Sequence, residues 1–260
     1  MLNDMASFHD LRDKTVVVTG AGEGIGKAIA KAFIEQGSKV ILISRNGIKW
    51  AKEVCSDNCI VLEKDIRDVE YFEGWLSEYE SSGNRIDILV NNAGIIHKKK
   101  MMESTEQEWD EIISINSKAT FFLTKLFALH MIESRKGNII FSGSFANRIP
   151  SYSYGLYAAS KSMTASLAKS LAAELAPYNI RVNSFSPGVI KTKMTEAAIA
   201  ANESKMLNDI SLSRFGDSSE VANAVLFLAS EVSSYITGID LDISGGKFII
   251  QNPGQSRNVT

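Results

Sequence analysis

Short runs of apolar, often β-branched residues recur along the chain between turn-forming residues, a pattern typical of buried β-strands. Six such runs predict six strands: Thr15 to Thr19, Lys39 to Ser44, Cys59 to Glu63, Ile86 to Asn91, Asn138 to Ser142 and Arg181 to Ser186. Segments of helical length with one apolar face separate them. In the first segment, apolar residues recur at helical spacing and the pattern stops at a glycine: Ile25, Ala28, Ile29, Ala32, Phe33 and then Gly37.

The alternation of strands and helices predicts right-handed β-α-β crossovers and a parallel sheet covered by helices on both faces. Both faces of such a sheet are buried, which explains the continuous apolar runs. We therefore predict an α/β fold built on a doubly wound parallel sheet. No linker rich in proline, glycine or serine interrupts the pattern, so residues 1–260 are expected to form one domain with its core at 13–248 and a polar tail at 249–260.

The composition argues against several classes of protein. With 45% hydrophobic and 22% charged residues, the chain of 260 residues is too apolar to be disordered. Its formal charge of −2 favours no polyanion, so no nucleic-acid partner is expected. The apolar runs are shorter than the roughly 20 residues that cross a bilayer, and the N-terminus has no secretory pattern. We expect a cytoplasmic protein that does not associate with a membrane.

The chain has two cysteines, Cys55 and Cys59. No second pair or nearby histidine cluster completes a metal site, so no metal is predicted. We expect both to be reduced thiols without a role.

A glycine-rich turn follows the first predicted strand and opens the first helix, from Thr19 to Gly26. Glycines let the backbone approach a pyrophosphate, and the amides and positive dipole end of the helix stabilise its charge. The common G-x-G-x-x-G spacing is absent, and the glycines stand instead as Gly20-x-x-x-Gly24-x-Gly26. The position between a strand and a helix predicts a dinucleotide site.

Several further motifs follow in order along the chain. They are Asn91-Asn92-Ala93-Gly94 after the fourth strand, Asn116 in the next helix, Ser144 thirteen residues before Tyr157, Lys161 four residues after Tyr157, and Pro187-Gly188 with Thr192 beyond. Together with T-G-x-x-x-G-x-G, this set resembles the short-chain dehydrogenase/reductase family from Thr15 to Gly246. The resemblance implies a Rossmann-type fold and an oxidoreductase that uses a nicotinamide cofactor.

The resemblance also assigns site residues. It implies a catalytic tetrad of Asn116, Ser144, Tyr157 and Lys161. It implies that the cofactor contacts Gly20, Gly22, Glu23, Gly24, Ile25, Gly26, Ser44, Arg45, Asp65, Ile66, Asn92, Ala93, Gly94, Tyr157, Lys161, Pro187, Gly188, Val189, Ile190 and Thr192. In the family, the aspartate of the Asp65-Ile66 pair accepts from the adenine amine and the isoleucine covers the ring.

Spacing selects Tyr157 from the cluster that also contains Tyr152 and Tyr154, because only Tyr157 has a lysine four residues later, on the same helix face. A free phenol has a pKa near 10. A nearby Lys161 ammonium and the positive ring of the oxidised cofactor are expected to lower the pKa of Tyr157. Ser144 is expected to hold the substrate oxygen. The competing Ser142 does not match the family position, although the pattern N-x-S-S-x-x-G is altered at Phe141, Gly143 and Asn147.

Asn116 lies on an apolar stripe of its helix, which opens with a capping box at Thr105 and Glu108. A buried amide needs satisfied hydrogen bonds, so we expect a specific partner. Two roles remain open. Asn116 either bridges backbone groups alone, or, as the resemblance implies, kinks the helix and holds a water that links Lys161 to solvent.

The end of the second strand bears on which nicotinamide cofactor is used. An acid there would bind the ribose 2′-hydroxyl, whereas an arginine suits a 2′-phosphate. Ser44 and Arg45 stand at this point, with no acid, which favours NADP(H) over NAD(H). Glu23 in the glycine turn argues in the opposite direction, because its charge would repel a 2′-phosphate.

The chain is most similar to bacterial β-ketoacyl carrier-protein reductases over the segments Asp87 to Gly94, Ser213 to Ala229 and Tyr235 to Gly246. This resemblance implies reduction of a 3-oxoacyl-type carbonyl. Arg135 matches one basic position by which those enzymes recognise the carrier, but Tyr178 stands at the other. A sugar, polyol or other secondary-alcohol dehydrogenase is the alternative, and a non-catalytic nucleotide-binding regulator is a remote one. The resemblance further implies a small carbonyl or alcohol substrate and a homotetramer. Substrate contacts are expected from Phe145 to Tyr154 and from Val189 to Leu212.

Overall fold

The computed structural model describes residues 7–55, 58–247, 249 and 253. Most of the predicted polar tail, 249–260, therefore lies outside the described residues. The predicted doubly wound α/β fold is confirmed by a parallel sheet in the order β3-β2-β1-β4-β5-β6-β7. Its strands are β1 (Thr15–Thr19), β2 (Lys39–Ile43), β3 (Cys59–Leu62), β4 (Ile88–Asn91), β5 (Gly137–Ser142), β6 (Ile180–Pro187) and β7 (Asp240–Ile243).

Helices connect the strands and cover the sheet on both sides. They are α1 (Gly24–Glu35), α2 (Ala51–Val54), α3 (Val69–Ser81), α4 (Glu106–Ile113), α5 (Thr120–Ser134), α6 (Gly155–Leu175), α7 (Lys193–Asn208) and α8 (Ser218–Ala229). A π-helical segment, Ser114–Ala119, joins α4 to α5. The apolar faces of α1 and α8 pack on one face of the sheet, and those of α3, α5 and α6 pack on the other. The central strands are buried on both faces, as their apolar runs predict.

The sequence prediction missed the seventh strand, β7. Its residues read Asp-Leu-Asp-Ile, and this polar alternation lacks the continuous apolar run by which the other strands were found. β7 lies at the edge of the sheet and pairs with β6 alone. Both aspartates are tolerated there because each carboxylate pairs with Arg148.

The expectation of two reduced thiols is wrong, because Cys55 and Cys59 form a disulfide. Cys55 follows α2, Cys59 opens β3, and their Cα atoms lie 5.5 Å apart. This separation lies within the range that a disulfide spans. Compartment and metal spacing, on which the expectation rests, do not reveal that the fold places the two residues side by side.

One stretch of the described residues, Glu106–Ser134, is long and apolar enough by length and composition to cross a membrane. It comprises α4, the π-helical segment and α5, and more than half of its most apolar window is buried. Leu123 and Phe127 pack fully into the core beneath the sheet. These contacts are typical of the core helix of a globular domain.

Candidate active site

A cleft of about 580 Å³ runs along the edge of the sheet where β1, β2, β4, β5 and β6 end. Ligands of open α/β sheets bind outside the carboxyl ends of the strands, where this cleft lies. All of the predicted cofactor-binding residues line it, and so do Ser144, Tyr157 and Lys161. Asn116 is the one predicted site residue that does not line the cleft.

Hydrogen bonds to the segment that follows β4 fix the shape of the glycine turn. Gly20 has a φ of +68°, and a Cβ on Gly26 would collide with the Gly20 carbonyl oxygen. The Asn92 amide donates to the carbonyls of Thr19 and Gly20 at 3.2 and 3.3 Å. In return the Thr19 hydroxyl accepts from the backbone nitrogens of Asn92 and Ala93, both at 3.0 Å. The turn therefore presents the N-terminus of α1 to the cleft.

Thr19 is the first residue of the T-G-x-x-x-G-x-G motif but is not among the predicted site residues. It is 2% exposed, and its hydroxyl joins the two motifs that shape the nucleotide end of the cleft. Its position at the end of β1, directly before the first glycine, was the available signal.

The nucleotide end of the cleft carries charges of both signs. Arg45 is half exposed, and its guanidinium lies 4.0 Å from the Asp65 carboxylate. Arg67 binds the same carboxylate through Nε at 3.0 Å and Nη2 at 2.7 Å. This hydrogen-bonded Arg67, aided by Arg45, lowers the pKa of Asp65 despite partial burial. Glu23 lines the same end.

Tyr157 and Lys161 lie one helical turn apart on α6 and both line the cleft. The Lys161 ammonium lies 5.9 Å from the centre of the Tyr157 ring and donates to the Ser142 carbonyl at 2.7 Å. Ser144 caps the short turn Phe145–Asn147, and its hydroxyl accepts from the Ala146 nitrogen at 3.2 Å. Ser144 also lies near enough to the Tyr157 hydroxyl to act on its pKa.

Burial raises the pKa of the Tyr157 phenol, and Ser144 acts in the opposite direction. Desolvation of the phenolate is the largest cause of this shift, so the pKa of Tyr157 is raised in the protein itself. The lowering expected from Lys161 together with the oxidised cofactor stays a prediction. Burial also lowers the pKa of Lys161 to about 8. At neutral pH the protein therefore holds a protonated phenol beside a cationic lysine.

Asn116 lies inside the π-helical segment, 1% exposed. Its amide donates to the Ile95 carbonyl at 2.9 Å and to the Ser160 hydroxyl at 3.0 Å, and its oxygen accepts from the Ile95 nitrogen at 2.8 Å. Both predicted features, a backbone bridge and an interruption of the helix, are present together. A π-helical turn inside a helix is frequent at functional sites. The water link to Lys161 stays a prediction.

The lining residues that come from 95–96, 145–154 and 193–206, here called the far end of the cleft, are mostly apolar. They are Ile95, Ile96, Phe145, Ala146, Met194, Ala198 and Met206, with Ser151, Tyr154, Lys193 and Thr195 as polar groups. The two segments from which substrate contacts were expected both contribute. Ile95 and Ile96 were missed, although their position directly after Gly94 marked them as neighbours of the cleft.

Arg135 and Tyr178, the two positions considered for carrier recognition, contact one another. The Arg135 guanidinium donates to the Pro177 carbonyl at 2.8 Å and lies 5.8 Å from the centre of the Tyr178 ring. Arg135 is therefore held against the segment after α6.

Comparisons with known proteins place the chain among enzymes of one family. A family model described as enoyl-(acyl carrier protein) reductase matches residues 20–247. The 3-oxoacyl-[acyl-carrier-protein] reductase FabG of Buchnera aphidicola from Acyrthosiphon pisum is 38% identical, over 93% of this chain and 100% of its own. FabG of Escherichia coli is 36% identical, over 91% and 98%.

Solved structures show the same fold at similar identity. A short-chain type dehydrogenase/reductase from Mycobacterium marinum matches with a TM-score of 0.86 and 32% identity, over 94% of this chain and 98% of its own. Thermoplasma acidophilum aldohexose dehydrogenase in ligand-free form matches with a TM-score of 0.85 and 32% identity, over 94% and 97%. A putative 2-deoxy-D-gluconate 3-dehydrogenase from Agrobacterium tumefaciens with bound NADP has a TM-score of 0.86 and 31% identity, over 94% and 100%.

Proposed function

Since the chain belongs to the short-chain dehydrogenase/reductase family and is an oxidoreductase acting on C=O or CH–OH groups, we propose that it reduces a 3-oxoacyl-type or related ketone to a secondary alcohol with NADP(H). One observation carries this proposal: Ser144, Tyr157 and Lys161 face the same cleft as the glycine turn. A bound nucleotide and a carbonyl group can therefore meet beside the phenol.

The glycine turn, Thr192 and the Asn92–Gly94 segment fit a nicotinamide dinucleotide, because the N-terminus of α1 and the close backbone approaches form a cradle for its pyrophosphate. When bound, the reduced nicotinamide supplies the hydride. Ser144 orients the substrate carbonyl oxygen and polarises it. Tyr157 donates its proton to that oxygen as the alcohol forms, and the raised pKa of its phenol keeps this proton available.

Lys161 supports the proton donor electrostatically. Its ammonium stabilises the phenolate left behind on Tyr157, and under the family assignment it also binds the nicotinamide ribose. Asn116 fixes the Ile95 backbone and Ser160, which lies next to Lys161 on α6. In the oxidising direction the same groups act in reverse, with Tyr157 taking the proton.

The lining of the far end favours a substrate with an apolar group next to its carbonyl. Seven of the eleven side chains there are apolar, whereas a polyhydroxylated substrate would need many polar partners. A sugar, polyol or other secondary-alcohol dehydrogenase is the second candidate. It is supported by the polar groups Ser151, Tyr154 and Lys193, and by the structural similarity to an aldohexose dehydrogenase and a putative 2-deoxy-D-gluconate 3-dehydrogenase. Retention of all four tetrad residues speaks against a non-catalytic regulator.

Cofactor choice rests on Arg45, which lines the nucleotide end at the end of β2. Ser44 is small, and no acidic residue stands at this strand end, where it would bind the ribose 2′-hydroxyl. We expect Arg45→Ala to weaken NADPH binding about tenfold or more while NADH binding changes by less than about twofold, because a charge-assisted bond to the 2′-phosphate is lost. Fluorescence titration of both cofactors measures this.

Lys52→Ala is the matched control, because it removes the same charge from exposed α2. Loss of NADPH affinity in both variants would indicate a general charge effect. Tighter binding of NADH than NADPH by the unaltered protein would mean that Glu23 outweighs Arg45.

We also propose a homotetramer in the cytoplasm. Phe122 and Leu129 on α5 and Met163 on α6 are large apolar side chains that are about half exposed, which supports helix packing between copies. Sedimentation equilibrium is expected to give four times the chain mass of 28.5 kDa. The mass of a single chain would contradict this assembly.

A further inference from the structure

The carboxylate of Asp240, in the edge strand β7, collects hydrogen bonds from several elements at once. It accepts from the Ser184 hydroxyl at 3.0 Å and from the Ser186 hydroxyl at 2.8 and 2.9 Å. Arg148 pairs with the same carboxylate at 3.0 Å. The Asp240 side chain is only 11% exposed, so these contacts are well shielded from water.

Asn147 connects this carboxylate to the turn that begins at Ser144. Its amide donates to Asp240 at 3.3 Å and to the Ser186 hydroxyl at 3.4 Å. Its backbone nitrogen donates to the Ser144 carbonyl at 3.0 Å, which closes the turn. Its own carbonyl accepts from Ser162, the neighbour of Lys161 on α6.

Ser186 fixes the other side of the same turn. A Cβ on Gly143 would lie 2.7 Å from the Ser186 hydroxyl oxygen, and the Gly143 nitrogen donates to the Phe185 carbonyl at 2.7 Å. The residue before Ser144 is therefore held directly against β6. Gly143 and Asn147, two departures from the family pattern, both belong to this contact.

We propose that Asp240 is a positioning residue that holds the Ser144 turn against β6 and thereby sets the place of the Ser144 hydroxyl relative to Tyr157. The role in catalysis rests on the proposed function, whereas the anchoring itself does not. A negative carboxylate suits this position because its two oxygens can accept from two hydroxyls, an amide and a guanidinium together. An asparagine there would offer one acceptor oxygen and turn N–H donors toward groups that already donate.

Asp240→Asn tests the anchoring without a change in size. We expect amide hydrogen exchange over residues 143–149 to accelerate at least about tenfold, because the turn opens locally more often. Asp242→Asn is the matched control: Asp242 also pairs with Arg148, at 2.7 Å, and in β7 it stands two residues from Asp240. Unchanged exchange in Asp240→Asn, or equal acceleration in Asp242→Asn, would overturn the proposal.

A second pair of variants separates a role in catalysis from general stability. Ser186→Ala removes a hydroxyl that contacts both Asp240 and Asn147. Ser184→Ala removes a hydroxyl that contacts Asp240 but not Asn147. We expect Asp240→Asn and Ser186→Ala to lower kcat about tenfold to a hundredfold with the KM for NADPH unchanged, since small misplacements slow chemistry steeply. Ser184→Ala should retain kcat within about threefold.

With deuterated NADPH, the isotope effect on kcat should rise in Asp240→Asn and Ser186→Ala, because hydride transfer becomes slower. An unchanged kcat in Asp240→Asn would remove the catalytic part of the inference. Faster exchange at 143–149, combined with no turnover of any carbonyl compound by the unaltered protein, would leave Asp240 as the anchor and refute the proposed function instead.

Discussion

Replacement of Tyr157 by phenylalanine is expected to lower turnover by about 10² to 10⁴-fold, the usual contribution of a positioned acid or base. The variant keeps the aromatic ring on α6 but removes the hydroxyl on which Ser144 acts. No other phenol of the described residues combines a place in the cleft with a lysine one helical turn away. NADPH binding, measured by fluorescence titration, should remain within about threefold of the unaltered protein, because the other predicted nucleotide contacts are unchanged.

Tyr152→Phe provides the control for this variant. Tyr152 is 79% exposed and five residues earlier in the chain, so its hydroxyl has no expected part in the reaction. A Tyr157→Phe protein with more than about a tenth of the original kcat would assign the proton transfer to another group.

Replacement of Lys161 by methionine should have the next largest effect, with kcat/KM reduced by at least about a hundredfold. The variant loses the cation beside the phenol and the donor to the Ser142 carbonyl. The phenolate that develops on Tyr157 therefore loses a stabilising charge, and the turn that leads to Ser144 loses a hydrogen bond. Steady-state kinetics with varied NADPH would divide the loss between cofactor binding and chemistry. Lys169→Met, on the exposed side of α6, is the control.

Lys161→Met also tests how far the buried charge of Lys161 lowers the free energy of unfolding, through the dependence of that free energy on pH. Burial lowers the pKa of Lys161 from 10.5 to about 8, which corresponds to about 3 kcal/mol. Below pH 8 the lysine is charged in both the folded and the unfolded protein, so this cost is fully present. As pH rises from about 8 to 10.5, the folded state loses its proton first and the cost disappears.

The free energy of unfolding of the unaltered protein should therefore rise relative to that of Lys161→Met between about pH 8 and 10.5. Urea unfolding at several pH values measures this difference. A constant difference across that range would mean that Lys161 is not desolvated in the folded protein.

The fold followed from the sequence wherever burial leaves a continuous pattern. β1 and α1 appear within one or two residues of their predicted bounds. The strand is buried on both faces, the helix buries one face, and Gly37 with a φ of +83° follows the C-cap of α1. β7 did not follow, since an edge strand with two aspartates has no apolar run. The Cys55–Cys59 disulfide did not follow either, because it depends on where the fold places the end of α2 and the start of β3.

The cleft itself was largely predictable, because its motifs are short and lie at the ends of strands. The network around Asp240 was not, since it joins residues more than ninety positions apart whose meeting depends on the order of β6 and β7 in the sheet. The raised pKa of Tyr157 was also missed. Spacing along α6 reveals the lysine, but only the packed structure reveals how strongly the phenol is desolvated.

Reduction of a ketone by NADPH is tested most simply with the purified, unaltered protein, whose oxidation of NADPH is measured in the presence of a small panel of carbonyl compounds. The panel contains 3-oxoacyl thioesters, an apolar diketone and a keto sugar, and the absorbance of the reduced nicotinamide is followed for each. We expect NADPH to be consumed with a 3-oxoacyl thioester or the diketone, a 3-hydroxy product to form from the thioester, and Tyr157→Phe to abolish this consumption. Tight NADPH binding with no consumption by any member, and no reduction of NADP⁺ by the corresponding alcohols, would contradict this expectation.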